Sequence, residues 1–247
     1  MRRVAILGGT RGMGRSLARK FVERGDWVVL LGRDETELKR SQGDLEARGS
    51  PGVRVTYAVC DLEKPDTFRD SLEAAEQSLE FIDTVVVTAG AFATQEKLEA
   101  DPALAHKVLT VDFANTVMFC EEARKKLLLR GSGTLCVFSS VAGDRARKPV
   151  VLYGAAKAGL SAYLEGLDHK YRAQGLVTVC VKPGFVKTAM TEGLKPPPFA
   201  GEPDEVAETV IAGIDAGSPV IYAPPIWRAV MTAIKAMPRF MMRRIKF

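Results

Sequence analysis

A glycine-rich turn near the start of the chain places the strongest constraint on its fold. Residues 3–7 are apolar and β-prone, and the sequence GGTRGMG over residues 8–14 follows at once. Apolar residues then recur at helical spacing over residues 17–22. The order is a strand, a tight turn and a helix amino terminus, whose unpartnered N–H groups can bind a pyrophosphate. Such a sequence can be an ordinary turn, but in this position it favours a dinucleotide site.

Strand and helix signals alternate along the chain, the pattern of a doubly wound parallel sheet. We therefore predict an α/β fold with a single Rossmann-type doubly wound parallel sheet, helices on both faces and a basic amphipathic C-terminal helical tail. The length suits one domain over residues 1–247, with the tail at 224–247. Strands are predicted near residues 3–7, 27–31, 53–59, 82–88, 133–139, 176–182 and 219–222. Helices are predicted over residues 13–24, 35–48, 66–79, 99–129, 151–173 and 203–216.

Tyr153 and Lys157 stand four residues apart in the predicted helix at 151–173, and Ser140 precedes them. Positions i and i+4 share a helix face, so the ammonium lies beside the phenol and favours its ionised form. A free phenol has a pKa near ~10, and a neighbouring cation can lower it toward a useful range. Ser140 follows an apolar run, so we expect its hydroxyl at a strand end, facing the tyrosine. The Tyr–Lys pair alone is also compatible with a solvated helix face.

Four motifs occur in order: G-x-x-x-G-x-G from Gly8, Ser140, Y-x-x-x-K from Tyr153, and Pro183-Gly184. Together they resemble the short-chain dehydrogenase/reductase family over almost the whole chain. The resemblance implies that Tyr153 donates a proton, that Lys157 lowers its pKa and holds the nicotinamide ribose, and that Ser140 hydrogen-bonds the substrate oxygen. It implies cofactor contacts from Gly8, Thr10, Arg11, Gly12, Met13, Gly14, Arg33, Asp61, Leu62, Ala89, Gly90, Tyr153, Lys157, Pro183, Gly184, Val186 and Thr188.

The implied activity is an NADP(H)-dependent oxidoreductase that reduces the ketone of an apolar or lipid-linked substrate. The irregular stretch at residues 185–201 is where the family places its substrate lid. Two departures from the family pattern leave an alternative open, a catalytically silent NADP(H)-binding sensor or scaffold. Thr88 stands in V-T-A-G where the family writes N-N-A-G, and Asp112 replaces an asparagine of the catalytic tetrad. An ionised Asp112 would favour charged Lys157 and raise the pKa of Tyr153, while the tetrad's backbone role is kept.

Cofactor choice rests on the residues after the second predicted strand. NAD-using relatives carry an acid at the position of Gly32, where it binds the ribose 2′-OH and repels a 2′-phosphate. Arg33 follows directly and Arg11 lies in the glycine turn, so two guanidinium groups are available to a 2′-phosphate. This pattern favours NADP(H). The competing interpretation is that both arginines are merely solvated.

The positions of the cysteines and the hydropathy of the chain indicate the cellular compartment of the protein. The four cysteines lie mostly in or beside apolar runs without metal-ligand spacing, which indicates reduced thiols of a cytoplasmic protein. We expect no signal peptide, no membrane span and no metal, since His106 and His169 are isolated. The expected partners are a small-molecule or lipid-linked carbonyl substrate and further copies in a homodimer or homotetramer, with no nucleic acid.

The C-terminal tail departs from the family's usual glycine-rich ending. Trp227, Val230, Met231 and Ile234 form one apolar helical stripe. The sequence after Ala216 contains no acidic residue and six basic ones, Arg228, Lys235, Arg239, Arg243, Arg244 and Lys246. The positive charge in excess, +5 for the whole chain, is therefore concentrated in the tail. The combination favours peripheral contact of 224–247 with the inner face of the cytoplasmic membrane. Packing on its own core or on a partner subunit is the alternative.

A narrower resemblance rests on four segments: S-S-V-A-G-D-R-A-R-K, Y-G-A-A-K-A-G-L, V-K-P-G-F-V-K-T and the ending W-x-x-x-M…P-R-F. These segments look most like bacterial reductases related to the decaprenylphosphoryl 2-keto-pentose reductase. Enzymes of that type reduce a ketosugar attached to a polyprenyl phosphate, so the resemblance implies a lipid-linked substrate.

Overall fold

Seven parallel strands form one sheet in the computed structural model, which describes residues 1–245. The strand order is β3-β2-β1-β4-β5-β6-β7, the doubly wound arrangement that the sequence predicts. Each predicted strand is present, and the boundaries differ by at most two residues. The strands are β1 (Arg3–Leu7), β2 (Trp27–Gly32), β3 (Val55–Val59), β4 (Thr84–Val87), β5 (Gly133–Phe138), β6 (Leu176–Pro183) and β7 (Val220–Ala223).

Helices cover both faces of the sheet, which explains why the central strands are apolar throughout. Ala5 and Leu7 of β1 pack into one core layer, and Val4 and Ile6 pack into the other. The helices are α1 (Gly12–Glu23), α2 (Glu35–Arg48), α3 (Thr67–Leu79), α4 (Gln95–Ala100), α5 (Pro102–Leu109), α6 (Thr116–Leu129), α7 (Val151–Tyr171), α8 (Pro203–Asp215), α9 (Ile226–Ala236) and α10 (Arg239–Met242). Helices α3, α6 and α7 cover the first layer, and α1, α2 and α8 cover the second.

The prediction of one helix over residues 99–129 is wrong. The chain instead forms α4, α5, a π-helical stretch at Thr110–Asn115 and α6. Asp101 separates α4 from α5 because its carboxylate caps the new helix, accepting hydrogen bonds from the N–H groups of Ala103 and Leu104. Pro102 then occupies the first turn, where its missing N–H costs nothing. The π-helical stretch contains Asp112.

The C-terminal stripe packs on the protein's own fold. Trp227, Met231 and Ile234 of α9 are buried in a cluster with Val141, and Val230 is partly buried beside them. Of the two alternatives, the structure shows the packed helix, so these side chains are not available to a bilayer. Five of the six tail cations are exposed, and Lys246 lies outside the described residues. Within residues 1–245, no helix is both long enough and apolar enough to span a membrane.

Candidate active site

A cavity of about 390 Å³ opens at the carboxyl ends of the central strands. The sheet order reverses between β1 and β4, and open α/β sheets bind their ligands at this kind of switch point. Residues of the glycine turn, of the β4 and β5 ends and of helix α7 line it together. The topology therefore brings motifs that lie far apart in sequence to one site.

The glycine turn has the geometry of a phosphate cradle. Gly8 has a φ of +94°, and a Cβ on it would lie 2.6 Å from the backbone nitrogen of Ala89. A side chain would therefore clash with the loop after β4. Helix α1 begins at Gly12 without a side-chain cap, so its first N–H groups remain available to a ligand. These features fit a dinucleotide pyrophosphate, and the predicted contacts Thr10, Arg11, Met13 and Gly14 belong to this turn.

Arg11 and Arg33 both project into solvent beside the glycine turn and the end of β2. Their side chains are 71% and 68% exposed. Arg11 lies 3.8 Å from a Glu37 carboxylate oxygen, and Arg33 lies 3.1 Å from Glu63. Such exposed pairs are weak, so an incoming phosphate can replace the carboxylates. Asp61, one of the predicted cofactor contacts, lies just beyond the carboxyl end of β3.

Ser140, Tyr153 and Lys157 line the same cavity. Ser140 follows β5 in an extended conformation, and its Oγ accepts a hydrogen bond from the Ala142 N–H. Lys157 is buried one turn after Tyr153 on α7, with Nζ 5.7 Å from the centre of the phenol ring. The predicted juxtaposition of serine, tyrosine and lysine is thus present in the structure.

Asp112 forms a direct ion pair with Lys157. Its Oδ1 lies 3.3 Å from Lys157 Nζ and accepts a 3.0 Å hydrogen bond from the Ala91 N–H. The carboxylate is fully buried, and its Oδ2 has no partner within the described part of the chain. Lys157 also donates to the carbonyl oxygen of Phe138 at 3.2 Å. The side chain that departs from the family pattern is therefore part of the lysine's immediate environment.

Burial gives the pKa of Tyr153 a net shift opposite to the one expected from Lys157. It raises the pKa of Tyr153 above its ordinary value, and the Asp112 charge adds to this, while Lys157 and Ser140 act in the opposite direction. The expectation of a net lowered pKa is therefore wrong, although Lys157 acts on the phenol in the predicted direction. Burial opposes the charged form of Lys157, but attraction to Asp112 leaves its pKa raised. Burial also raises the pKa of Asp112, against the effect of Lys157.

The end of β6 and the loop after it contain four of the predicted cofactor contacts, Pro183, Gly184, Val186 and Thr188. Pro183 ends the strand, and the Gly184 N–H donates to the carbonyl oxygen of Ala223. Val186 pairs with Gly201, which closes the irregular segment at residues 185–201 on itself. Thr188 lines the cavity beside the glycine turn. Thr88 keeps a side-chain hydrogen bond despite its departure from the family pattern, donating to the carbonyl oxygen of Leu7.

Several cavity residues were not predicted as site residues, among them Phe92, Arg147 and Trp227. The ring of Phe92 contacts Tyr153 edge-on, with centroids 5.2 Å apart. Trp227 reaches the cavity from α9, and its Nε1 donates to the Phe199 carbonyl oxygen. Arg147 lines the cavity from the loop before α7. Arg147 belongs to a basic run just ahead of the tyrosine helix, and Trp227 belongs to the predicted apolar stripe. Neither pattern predicts a place in the cavity, which for both residues and for Phe92 depends on tertiary structure.

Comparisons with known proteins agree with this geometry. The family model described as short chain dehydrogenase matches residues 2–198. An uncharacterized oxidoreductase of Mycobacterium tuberculosis strain H37Rv is 32% identical over 243 residues, covering 98% of this chain and 96% of the relative. The 3-oxoacyl-acyl-carrier-protein reductase of Chlamydia muridarum is 27% identical over 189 residues, covering 76% and 75%.

Solved structures share the fold at low sequence identity. Levodione reductase superposes with a TM-score of 0.81 and 23% identity, covering 90% of this chain and 95% of that one. A variant of the actinorhodin polyketide ketoreductase with NADPH gives a TM-score of 0.79 and 22% identity, with the same coverage. The matched family model covers most of the chain, and the oxidoreductase relatives extend over nearly all of it. The chain is therefore a member of the short-chain dehydrogenase family, a group of oxidoreductases that bind a nicotinamide cofactor.

Proposed function

We propose that the protein reduces the ketone of an apolar substrate with NADPH, using Tyr153 as the proton donor. The observation that carries the proposal is the meeting of Ser140, Tyr153 and the buried Lys157 in one cavity beside the glycine turn. Several relatives and neighbours in the comparisons are named as reductases, which supports the direction of the reaction.

The roles follow from the positions of the side chains. Ser140 donates a hydrogen bond to the substrate oxygen and polarises the carbonyl. Tyr153 gives its phenolic proton to that oxygen as negative charge develops there. A raised pKa suits this direction, because it favours the protonated phenol that donates. Charged Lys157 stabilises the phenolate that remains. A bound nicotinamide cofactor supplies the hydride.

Preference for NADP(H) rests on charge at the end of β2. Gly32 offers no carboxylate to a ribose 2′-OH. Arg11 and Arg33 are exposed beside this position, and neither is held in a strong pair. Two forked donors of this kind match a 2′-phosphate.

The lining of the cavity supports an apolar substrate. Its wall beyond the catalytic side chains is largely hydrophobic: Phe92, Val141, Val150, Phe185, Met190, Leu194, Pro197 and Trp227. A lipid-linked ketone, as in the narrower resemblance, would fit this character. Peripheral membrane contact would then depend on Phe240 and Met241, which are exposed beside Arg239, Arg243 and Arg244.

A substrate screen tests the activity itself. Hydrophobic ketones and secondary alcohols would be incubated with NADPH or NADP⁺, and the change in absorbance of the nicotinamide would be followed. Reduction of at least one ketone class supports the proposal. Tight NADPH binding without turnover across the panel would instead favour the catalytically silent sensor or scaffold.

A further inference from the structure

Two cationic side chains line the cavity, and only one of them is neutralised within residues 1–245. Lys157 is paired with Asp112. Arg147 lies in the loop between β5 and α7, where its Nε is buried without a hydrogen-bond partner. No carboxylate among the described residues forms an ion pair with it. The second cation therefore has no role in the reaction as described above.

The neighbours of Arg147 in sequence are occupied elsewhere. Arg145 donates to the carbonyl oxygen of Met237, and Lys148 donates to the carbonyl oxygen of Arg243. Both hold the C-terminal segment and neither lines the cavity. Besides Asp112, the cavity lining contains one carboxylate, that of the exposed Glu96, which makes no ion pair with Arg147. Arg147 thus differs from the two cations beside it in both position and contacts.

Arg147 is half-buried, its Nε has no hydrogen-bond partner, and the loss of water around the guanidinium lowers the pKa of Arg147. A bound anion would remove that penalty, since the planar fork can donate two parallel hydrogen bonds to a carboxylate or phosphate. Arg147 lies just before Pro149 and Val150, which also line the cavity. None of these is a predicted cofactor contact, whereas the phosphate cradle lies at the glycine turn.

We propose that Arg147 binds an anionic group, a carboxylate or a phosphate, on the carbonyl substrate. The substrate class is then an apolar ketone that carries an acidic group, held so that the ketone reaches Ser140 and Tyr153. This inference rests on the proposed reductase function for the identity of the ligand as substrate. The anion site itself can be measured without turnover.

Binding is tested with three probes of one chain length: octanoate, octyl phosphate and the neutral octanamide. Affinities are measured by calorimetry on the full chain in the presence of NADP⁺. We expect at least one anion to bind about tenfold more tightly than octanamide, the effect of a charge-assisted hydrogen bond. The tighter anion identifies the acidic group. Equal affinity for all three probes would overturn the proposal.

Variants locate the effect. Arg147→Met should abolish the preference for the anion, and Arg147→Lys should keep part of it. Arg228→Met is the matched control, because it removes the same charge from exposed α9 outside the cavity lining. Thermal melting confirms that each variant is folded. An anion preference that survives in folded Arg147→Met, or that disappears equally in Arg228→Met, would also refute the site.

A kinetic comparison separates this inference from the proposed function. The substrates are 9-oxodecanoate and its methyl ester, which differ in charge and share the ketone. Arg147→Met should lower kcat/KM for the acid by about tenfold or more and leave the ester nearly unchanged. Turnover of both with no effect of Arg147→Met refutes only the anion site. Anion binding at Arg147 without reduction of any carbonyl refutes only the reductase function.

Discussion

The ammonium of Lys157 and the carboxylate of Asp112 lie 3.3 Å apart in the floor of the cavity, both buried. The pair holds the lysine charged, and the carboxylate raises the pKa of nearby Tyr153. Asp112 therefore works against the effect of Lys157 on the phenol. The balance between these two charges should control the pH range in which the tyrosine keeps its proton.

Asp112→Asn should move the alkaline limb of the reduction profile to lower pH. The amide removes the negative charge that raises the Tyr153 pKa, and its oxygen can still accept the Ala91 hydrogen bond. Reduction needs the protonated phenol, so activity should be lost earlier as pH rises. The measurement is kcat against pH, with Asp101→Asn as an exposed control of equal charge change. An unchanged or alkaline-shifted limb would contradict this account.

Tyr153→Phe should lower the rate of ketone reduction by at least ~10²-fold, because it removes the transferable proton. Cofactor affinity and the edge-on contact with Phe92 should change little. Tyr163→Phe is the control: its hydroxyl lies on the same helix but donates to Glu121 instead. Near-normal turnover by Tyr153→Phe would eliminate the tyrosine as proton donor.

Arg33→Asp should reverse or erase a preference for NADPH over NADH. Charge-assisted hydrogen bonds to the 2′-phosphate contribute about 1.5–3 kcal/mol each, and an acid at this position would repel the phosphate. Dissociation constants for both cofactors are measured by fluorescence titration. Arg69→Asp, an equally exposed arginine on α3, should leave the preference intact. Equal affinity of the unmodified protein for both cofactors would show that the arginines have another role.

Met231→Ala should destabilise the fold by about 2–5 kcal/mol, the range for truncating a large buried side chain. Met231 is fully buried in the α9 cluster, so its removal leaves a cavity between the tail and the body of the protein. Denaturant unfolding measures the effect. Thr232→Ala, an exposed change one residue later, should be nearly neutral. An equally small effect at Met231 would mean that α9 does not pack as described.

Vesicle binding tests the remaining membrane proposal. The double change Phe240→Ser and Met241→Ser removes the exposed apolar pair of α10 without touching the packed stripe. We expect the unmodified protein to co-sediment with anionic vesicles in a salt-sensitive way. The variant should co-sediment less, with unchanged thermal stability. Absence of binding to anionic vesicles at low salt would refute peripheral contact and weaken the case for a lipid-linked substrate.

The sequence predicted the sheet well because its central strands are buried on both faces and read as unbroken apolar runs. It predicted the gathering of Ser140, Tyr153 and Lys157 because Ser140 follows the end of one strand, and Tyr153 and Lys157 lie one turn apart at the start of the next long helix. The break at Asp101 was missed, since a continuous helical pattern conceals a capping carboxylate. The net pKa of Tyr153 had the wrong sign because burial by distant residues such as Phe92 is not visible in local spacing.

The tail illustrates a different limit. An apolar stripe shows that a helix face is covered, but a bilayer and a protein core impose the same pattern. Val141 and Phe185, which cover the stripe in the structure, lie more than forty positions before Trp227 in the sequence. Only the tertiary structure could distinguish the two.

Trp227 lies beyond residues 2–198, the region that the family model matches, yet it lines the cavity and donates to the Phe199 carbonyl oxygen. Its ring packs so closely on Gly184 that a Cβ there would fall 2.0 Å from the indole nitrogen. Ser140, Tyr153 and Lys157 lie within the region that the family model matches, whereas Trp227, which forms part of the cavity wall, lies outside it. These two regions of the chain can therefore diverge separately. Helices α9 and α10 could therefore be exchanged between related reductases, provided that a glycine is kept at the position of Gly184. We expect such an exchange to change which ketones are accepted and to leave the hydride and proton transfer unchanged.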